Sequence, residues 1–401
     1  MITYLEKSRS PFYPGQPVPI ELFIGRQKEI ERIERALVQT KQGKMQVLFI
    51  SGEYGIGKSS LANYSKFIAE RNFNLLGIHV FLGNSNTIES VAQKTVETIL
   101  REQIYNEKVL DKIKNFLSKY IGKQELFGFS INFEALKNDL YDISRGFLPF
   151  LKNLYNRVKE DNISGILLIF DEINGIAKNP EFAHFIKTLV DENATSSNIL
   201  PLTLILCGTE ERRKELVERH QPIERIFDII DIKNMNENEM KEFFIKAFNS
   251  VEIKVDEKAL KLICDYSSGL PKIMHIIGDN IYWIDQDKFV DFKDAIEGIL
   301  SAAEEIGRRF VDVQVLKAIH SEDYKSILSK IVQKQKKSFS KKEIEENLSS
   351  REKEKLHNFL QRMKKLNAIR SLERGYYEFI NPMIPLYLFL TNIKKKLNVG
   401  R

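Results

Sequence analysis

The sequence is poor in the residues that build metal centres and disulfide frameworks. Its 401 residues include only two cysteines, Cys207 and Cys264, and both lie in apolar stretches without the spacing of metal ligands. We predict that both are buried free thiols, as is common in a reducing compartment. The histidines are equally scattered, which argues against a histidine-based metal centre. They are His79, His184, His220, His275, His320 and His357.

Long apolar runs are also missing. No run approaches the ~20 residues of a membrane-spanning helix, and the opening MITYLEKSRSPFYPGQP lacks the apolar core of a secretory signal. No internal repeat or low-complexity linker is visible. The hydrophobic content of 43% and the charged content of 29% are ordinary for globular proteins. We therefore expect a soluble, cytoplasmic protein of about two or three domains, with no membrane partner.

What the sequence does contain is a glycine-rich stretch, FISGEYGIGKSSL, which fits the motif G-x-x-x-x-G-K-[ST]. An apolar strand precedes it and a helix follows, so its backbone N–H groups can surround phosphate oxygens at a helix N-terminus. Lys58 is expected to reach the β- and γ-phosphates of ATP, and the Ser59 hydroxyl is expected to ligate Mg²⁺. The predicted phosphate-binding residues are Gly52, Glu53, Tyr54, Gly55, Ile56, Gly57, Lys58, Ser59 and Ser60.

A second motif supplies two carboxylates. The stretch SGILLIFDEI is a continuous apolar run that ends at Asp171 and Glu172, which is typical of a strand buried on both faces of a parallel sheet. Asp171 is expected to hold Mg²⁺ through water. Glu172 is expected to act as the general base that activates the attacking water. Together the two motifs predict hydrolysis of ATP to ADP and not nucleotide binding alone.

Strands alternate with helices through the first half of the chain, which predicts an α/β fold with a doubly wound parallel sheet. We predict an ATPase core at 1–235, a small helical lid at 236–311 and a winged-helix domain at 312–401. Capping-box spacings support the later helices. These spacings are Asn236 with Glu239, Ser340 with Glu343, and Ser349 with Glu352.

With these motifs the chain resembles P-loop ATPases of the AAA+ superfamily over nearly its whole length. It looks closest to the archaeal-type ATPases that border the STAND signalling NTPases and the origin-recognition-type initiators. The opener PFYPGQPVPIELFIGRQKEI is similar to the lead-in that these ATPases place around adenine. By that resemblance Phe23, Ile24, Gly25 and Arg26 line the base pocket. A plain helix entry is the alternative interpretation.

The resemblance also implies three residues near the γ-phosphate. Thr209 in LILCGTEER matches a polar sensor, with a helix N-cap as the alternative. Arg225 in PIERIFDIIDI matches an arginine finger aimed at the ATP of a neighbouring subunit, with Arg219 second and a structural role as the alternative. Lys272 stands where relatives carry the arginine of Gly-x-Pro-Arg. That difference keeps the charge but loses bidentate geometry, which puts the sensor role of Lys272 in question.

The basic surplus lies at one end of the chain. Residues 321–401 hold 19 Lys and Arg against 9 Asp and Glu, which favours a nucleic-acid partner. A predicted helix there places Arg351, Lys355, Asn358, Arg362 and Lys365 on one face, suited to the major groove of duplex DNA. Arg370 and Arg374 are expected on or near a wing that contacts phosphates. A solvated charged helix is the alternative.

Two functions therefore stay open. One is a nucleotide-controlled switch that associates with DNA. The other is a STAND-type signalling ATPase, whose winged helix inhibits the core or binds a protein, or which forms a homo-oligomer. The apolar tail YYEFINPMIPLYLFLTNI resembles the ending of such ATPases and suits docking on the core. A metabolic kinase is disfavoured because the sequence shows no acceptor-binding signature.

Overall fold

The computed structural model describes residues 7, 9–101, 107–118, 121–125, 128–131, 143–333 and 336–399. The chain divides into two compact units. The sheet unit is Pro17–Lys233, and the helical unit combines Met1–Gln16 with Asn234–Arg401. Among the described residues, no helix has the length and apolar character needed to span a membrane.

The sheet unit is built on five parallel strands in the order β2-β5-β6-β1-β7. A separate antiparallel pair, β3 and β4, stands outside this sheet. The parallel order confirms the predicted α/β fold. The strands are β1 Gln46–Ser51, β2 Leu75–Phe81, β3 Ile121–Glu125, β4 Gly128–Ile131, β5 Gly165–Asp171, β6 Leu202–Gly208 and β7 Asp228–Asp231.

The central strands β5 and β6 are buried at every residue, as expected for strands covered on both faces. Their apolar side chains join one core with the helices that pack on the sheet. The first helix buries Ile30, Ile33 and Leu37, the stripe that its spacing predicts. The helices are α1 Gln27–Lys41, α2 Lys58–Phe73, α3 Ile88–Arg101, α4 Glu107–Leu117, α5 Ile143–Val158, α6 Pro180–Thr195 and α7 Glu210–Arg219. The sequence places a helix start near residue 134, which lies outside the described residues.

The helical unit opens with four helices and one short parallel strand pair. Asn236 and Glu239 form the predicted capping box at the first of these helices. The helices are α8 Glu237–Asn249, α9 Glu257–Ser267, α10 Pro271–Ile284 and α11 Phe292–Ile306, and the strands are β8 Lys254–Val255 and β9 Phe289–Val290.

The N-terminal segment Met1–Gln16 belongs to this unit. From the sequence we predict it as part of the ATPase core, in the lead-in to the ATP site. Phe12 is buried, and its ring centroid lies 4.9 Å from that of Phe248. The Tyr13 N–H donates to Nδ1 of His275 at 3.1 Å, and burial lowers the pKa of His275 to about 4. Gly278 makes room for the segment, because a Cβ there would lie 2.2 Å from the Phe12 ring.

The C-terminal part continues from α11 through a π-helix and carries a three-stranded antiparallel sheet in the order β10-β12-β11. Ser340 and Ser349 accept hydrogen bonds from the N–H groups of Glu343 and Glu352, so both predicted helix starts are confirmed. The elements are the π-helix Gly307–Leu316, α12 Glu322–Val332, β10 Ser338–Ser340, α13 Lys341–Glu345, α14 Ser350–Lys365, β11 Ile369–Glu373, β12 Tyr376–Phe379 and α15 Met383–Val399.

The apolar tail forms strand β12 and then most of helix α15. Its Ile384 and Leu388 are buried in one core with Val311 and Val315 of the π-helix. The Tyr387 hydroxyl donates to the Asp312 carboxylate at 2.8–2.9 Å. The tail therefore buries these side chains against its own unit.

Glu352 links α14 to α12 and makes this part of the unit sensitive to acid. Its carboxylate accepts from Lys330 Nζ and Ser326 Oγ, each at 2.7 Å. The hydrogen bond from Lys330 lowers the pKa of Glu352 from 4.5 to about 2. Because the folded pKa lies below the unfolded one, this stabilisation is complete above pH 4.5 and disappears as the pH falls towards 2.

We expect Glu352→Gln to lower the free energy of unfolding by about 1–2 kcal/mol at pH 7, allowing for solvent screening of the ion pair. The difference from wild type should shrink below pH 4.5, where the wild-type carboxylate begins to lose its advantage. Urea unfolding of both proteins at several pH values measures this difference in the free energy of unfolding. Glu354→Gln, an exposed neighbour on α14, is the control. An equal Glu352→Gln effect at pH 7 and pH 2.5 would contradict the assignment.

Candidate nucleotide-binding site

The glycine-rich loop joins β1 to α2, and its backbone depends on glycine at several points. Gly55 and Gly57 have φ values of 80° and 99°, in the left-handed region that other residues rarely adopt. A Cβ on Gly52 would lie 2.8 Å from Cγ2 of Ile56 and 3.2 Å from the carbonyl oxygen of Ile232. The loop is therefore a tight turn that leads directly into a helix N-terminus, as an anion site requires.

Lys58 is the first residue of α2, and its ammonium group turns back into the loop. Nζ donates to the carbonyl oxygens of Gly52 and Glu53, each at 2.9 Å. Burial lowers the pKa of Lys58, while Asp171, Glu53 and Glu172 are among the groups that oppose the shift. The ammonium group is held where phosphate oxygens bound in the loop can accept its hydrogen bonds.

Asp171 ends β5 and is 1% exposed. Its Oδ1 accepts from the Glu172 N–H at 2.8 Å, and its Oδ2 lies 3.2 Å from Nε2 of His79. Glu172 follows with φ 56° and is exposed. A Cβ on Gly83 would lie 3.5 Å from Oε2 of Glu172. The buried carboxylate is thus fixed, and the exposed one is available to solvent.

The donor set suits Mg²⁺. Ser59 supplies a hydroxyl in the first turn of α2, and Asp171 supplies a carboxylate at the end of β5. Both present oxygen, the ligand atom that Mg²⁺ prefers. The order β5-β6-β1 brings the two to one edge of the sheet, at the carboxyl ends of the strands.

The predicted base-pocket residues lie beside α2. Phe23 is half-buried and stacks on Tyr64, with ring centroids 4.6 Å apart and planes 10° apart. Ile24 is buried, and Gly25 has φ 72°. The Arg26 guanidinium donates to the carbonyl oxygens of Lys233 and, at 3.1 Å, Ile56. Arg26 therefore ties the lead-in to the phosphate loop, and the base-pocket role of these four residues stays a prediction.

Thr209 follows β6 and caps α7, where its hydroxyl accepts from the Arg212 N–H at 3.4 Å. Next to Thr209 is an ion pair, with a nearby serine, that was not among the residues predicted from the sequence. Glu210 pairs with Arg213 at 2.6 Å and lies 3.4 Å from Oγ of Ser51. The hydrogen bond from Arg213 lowers the pKa of Glu210. The i,i+3 spacing of Glu210 and Arg213 was the available signal.

Three further predicted residues are exposed, two in the sheet unit and one in the helical unit. Arg225 is exposed in a 3₁₀ turn, Gln221–Ile226, of the sheet unit, and it makes no ion pair with another described residue. Arg219, the second candidate for the finger, is exposed at the end of α7. Lys272 is exposed in the first turn of α10 in the helical unit. The finger and sensor roles stay predictions.

The six predicted DNA-binding cations fall into two groups. In the first group, Arg351 pairs with Asp323 at 3.1 Å, and Lys355 bonds to the same carboxylate. Arg370 pairs with Glu378 at 2.8 Å. The sequence does not predict these partners, because Asp323 and Glu378 lie on other elements.

The second group comprises Arg362, Lys365 and Arg374. All three are exposed and form no ion pair within the described part of the chain. Arg362 donates to the carbonyl oxygen of Ala318 at 3.4 Å. Arg374 lies at the turn between β11 and β12. The cations of the first group are paired with carboxylates, whereas those of the second group keep their positive charge available for an anionic partner.

Comparison with known proteins gives one family and several similar folds. Residues 23–276 match the family described as an ATPase domain predominantly from Archaea. A Walker-type ATPase of Pyrococcus abyssi is 18% identical, with a TM-score of 0.57 over 91% of this chain and 96% of its own. The ORC2 protein of Aeropyrum pernix, in ADPNP–ADP complexes, is 13% identical, with a TM-score of 0.57 over 98% of this chain and 99% of its own. No curated protein matches.

Proposed function

The chain belongs to the family of ATPase domains found predominantly in Archaea, and from that premise we propose an AAA+-like, Mg²⁺-dependent ATPase whose nucleotide state controls its association with duplex DNA. Membership of this family supports the ATPase activity. We propose the Mg²⁺ ion, the roles of the individual residues and the DNA partner.

At the phosphate loop, Lys58 and the backbone N–H groups of 52–60 hold the ATP phosphates. The residues that suit Mg²⁺ are Ser59, through its hydroxyl, and Asp171, through water. The bound ion supplies charge neutralisation at the phosphate oxygens. Glu172 takes a proton from the attacking water, which its exposed position beside Asp171 supports. Phe23, Ile24, Gly25 and Arg26 form the side of the site nearest the base.

Three residues complete the reaction centre in this proposal. Thr209 and Lys272 sense the γ-phosphate. Arg225 reaches the ATP of a second copy, since it is exposed and makes no ion pair among the described residues. Such a finger makes turnover depend on a homo-oligomer.

DNA binding rests on one observation: Arg362, Lys365 and Arg374 are exposed within a segment of 19 basic and 9 acidic residues. The order of α12, β10, α13, α14 and the β11–β12 hairpin supports the proposal of a winged helix. In that arrangement α14 enters the major groove and the hairpin contacts phosphates.

A STAND-type signalling ATPase remains the alternative, favoured by the paired cations. Arg351, Lys355 and Arg370 are already neutralised by Asp323 and Glu378, which suits a protein partner better than DNA. The apolar tail gives this alternative less support, because Ile384 and Leu388 are buried in the core of α15 and the π-helix.

We expect the full-length chain to bind duplex DNA with an affinity that falls steeply with salt, with a log–log slope of about −0.9 per phosphate contacted. Arg362→Glu with Lys365→Glu should weaken binding on every sequence and reduce the slope by about two contacts. Fluorescence anisotropy at two salt concentrations, with ATP and with ADP, measures this. If the nucleotide site and the DNA-binding surface are coupled, the free energy of DNA binding should differ between the ATP and ADP states by roughly 1–3 kcal/mol.

The matched control is Lys258→Glu with Lys261→Glu on α9. These lysines are exposed, have the same i,i+3 spacing and change the net charge equally. The proposal needs the control to bind DNA as wild type does. No DNA binding at low salt, or equal loss in both double variants, would favour the signalling alternative.

A further inference from the structure

A buried histidine lies directly against the candidate metal carboxylate. His79 is on β2, the strand next to β5, and it is 7% exposed. Its Nε2 lies 3.2 Å from Oδ2 of Asp171. Its ring stacks on Phe81, with centroids 4.5 Å apart and planes 28° apart. The imidazole is therefore held from one side by an aromatic ring and directed at the carboxylate.

His79 stands in a strand whose other residues are apolar or glycine. The other residues of β2 are Leu75, Leu76, Gly77, Ile78, Val80 and Phe81, and those from Leu75 to Val80 are buried. A buried polar side chain is costly unless it is hydrogen-bonded. Here the bond is made to a carboxylate on a different strand, 92 positions away in the sequence. The hydrogen bond therefore links the imidazole directly to Asp171 across two neighbouring strands.

The two oxygens of Asp171 are held by different parts of the fold. Oδ1 accepts from the Glu172 N–H at 2.8 Å, and Oδ2 accepts from His79. The first bond comes from the neighbouring residue in the chain, while the second requires β2 and β5 to be paired. The second bond links the carboxylate to the side chain of a neighbouring strand.

We propose that His79 is a positioning residue, which donates from Nε2 to Asp171 and orients that carboxylate for the Mg²⁺ that accompanies the nucleotide. This inference rests on the proposed metal role of Asp171. Partners that orient a metal-binding carboxylate typically change metal affinity by about 10–100-fold when removed. His79 acts through Asp171 and touches neither nucleotide nor metal.

The test measures metal binding without turnover. Mn²⁺ is titrated into the ADP-bound full-length protein and followed by electron paramagnetic resonance. His79→Leu, which keeps apolar bulk but loses the donor, should weaken Mn²⁺ binding by about 10–100-fold. ADP affinity in EDTA should stay at the wild-type value. His79→Gln, whose amide can reach a similar position to Nε2, should recover most of the loss.

Two further variants make the result decisive. Ile78→Val removes one buried methyl group from the same strand without touching Asp171, and it should leave Mn²⁺ affinity unchanged. If His79→Leu does not fold, His79→Asn replaces it. Its side chain is shorter than that of histidine, so it should weaken Mn²⁺ binding to the same extent. Equal Mn²⁺ affinity in wild type, His79→Asn and His79→Leu would overturn the positioning role.

The proposed metal site fails in a different way. Asp171→Ala should weaken nucleotide-dependent Mn²⁺ binding at least as much as His79→Leu does. If Asp171→Ala binds Mn²⁺ as wild type does, or wild type shows no such binding, then the assignment of Asp171 is wrong and the role of His79 falls with it. Wild-type binding that depends on Asp171 but not on His79 removes the inference alone.

Discussion

Glu172→Gln is expected to bind ATP with wild-type affinity and to turn it over about 10²–10⁴-fold more slowly, the usual contribution of a positioned general base. The amide keeps the size of the side chain but cannot accept the proton of the attacking water. Lys58 and Asp171 keep their contacts, so phosphate and metal binding persist. Phosphate release and ATP affinity are measured on the same preparation.

Lys58→Ala separates binding from chemistry. It removes the ammonium group that lies 2.9 Å from the carbonyl oxygens of Gly52 and Glu53, and it should lose ATP affinity itself. Glu181→Gln, an exposed carboxylate on α6, should behave as wild type. Wild-type turnover in Glu172→Gln would remove Glu172 from the role of base.

Arg225→Ala should reduce turnover by roughly 10³–10⁵-fold if the residue is an arginine finger supplied by a second copy. ATP affinity of the isolated chain should hardly change, because the guanidinium is exposed and makes no ion pair among the described residues. Wild-type turnover per chain should rise with protein concentration. Steady-state rates over a wide concentration range, with light scattering for assembly, measure both effects.

Arg219→Ala is the comparison. Arg219 is also exposed and lies six positions earlier in the sequence, so a large loss there instead would transfer the role to it. A monomer whose rate stays strictly proportional to concentration would rule out a finger in trans.

The parts of the fold that were predictable are those set by neighbouring residues. The local backbone is fixed by the glycine spacing of the phosphate loop, the apolar run of β5, the capping boxes at Asn236 and Ser349, and the N-cap at Ser340. Their structures match the expectations because the interactions involved span few residues.

The parts that were missed depend on contacts between distant segments. His79 and Asp171 meet because β2 pairs with β5. Asp323 neutralises Arg351 and Lys355 because α12 packs beside α14. Neither partner leaves a periodic signal in the sequence. The spacing of residues in the sequence therefore identifies the motif residues. Their partners can be identified only from the pairing of strands and helices in the structure.

The segment around Phe12 has a consequence for unfolding. Because Met1–Gln16 belongs to the helical unit, the sheet unit is an insertion of about 220 residues with both ends attached to one folded body. If the sheet unit unfolds while the helical unit persists, its chain remains a closed loop. Closing a loop of that length costs an unfolded chain about 5 kcal/mol of entropy. The helical unit thus acts on the sheet unit much as a cross-link does, and cutting the chain near Gln16 would abolish that protection without touching any residue of the phosphate loop.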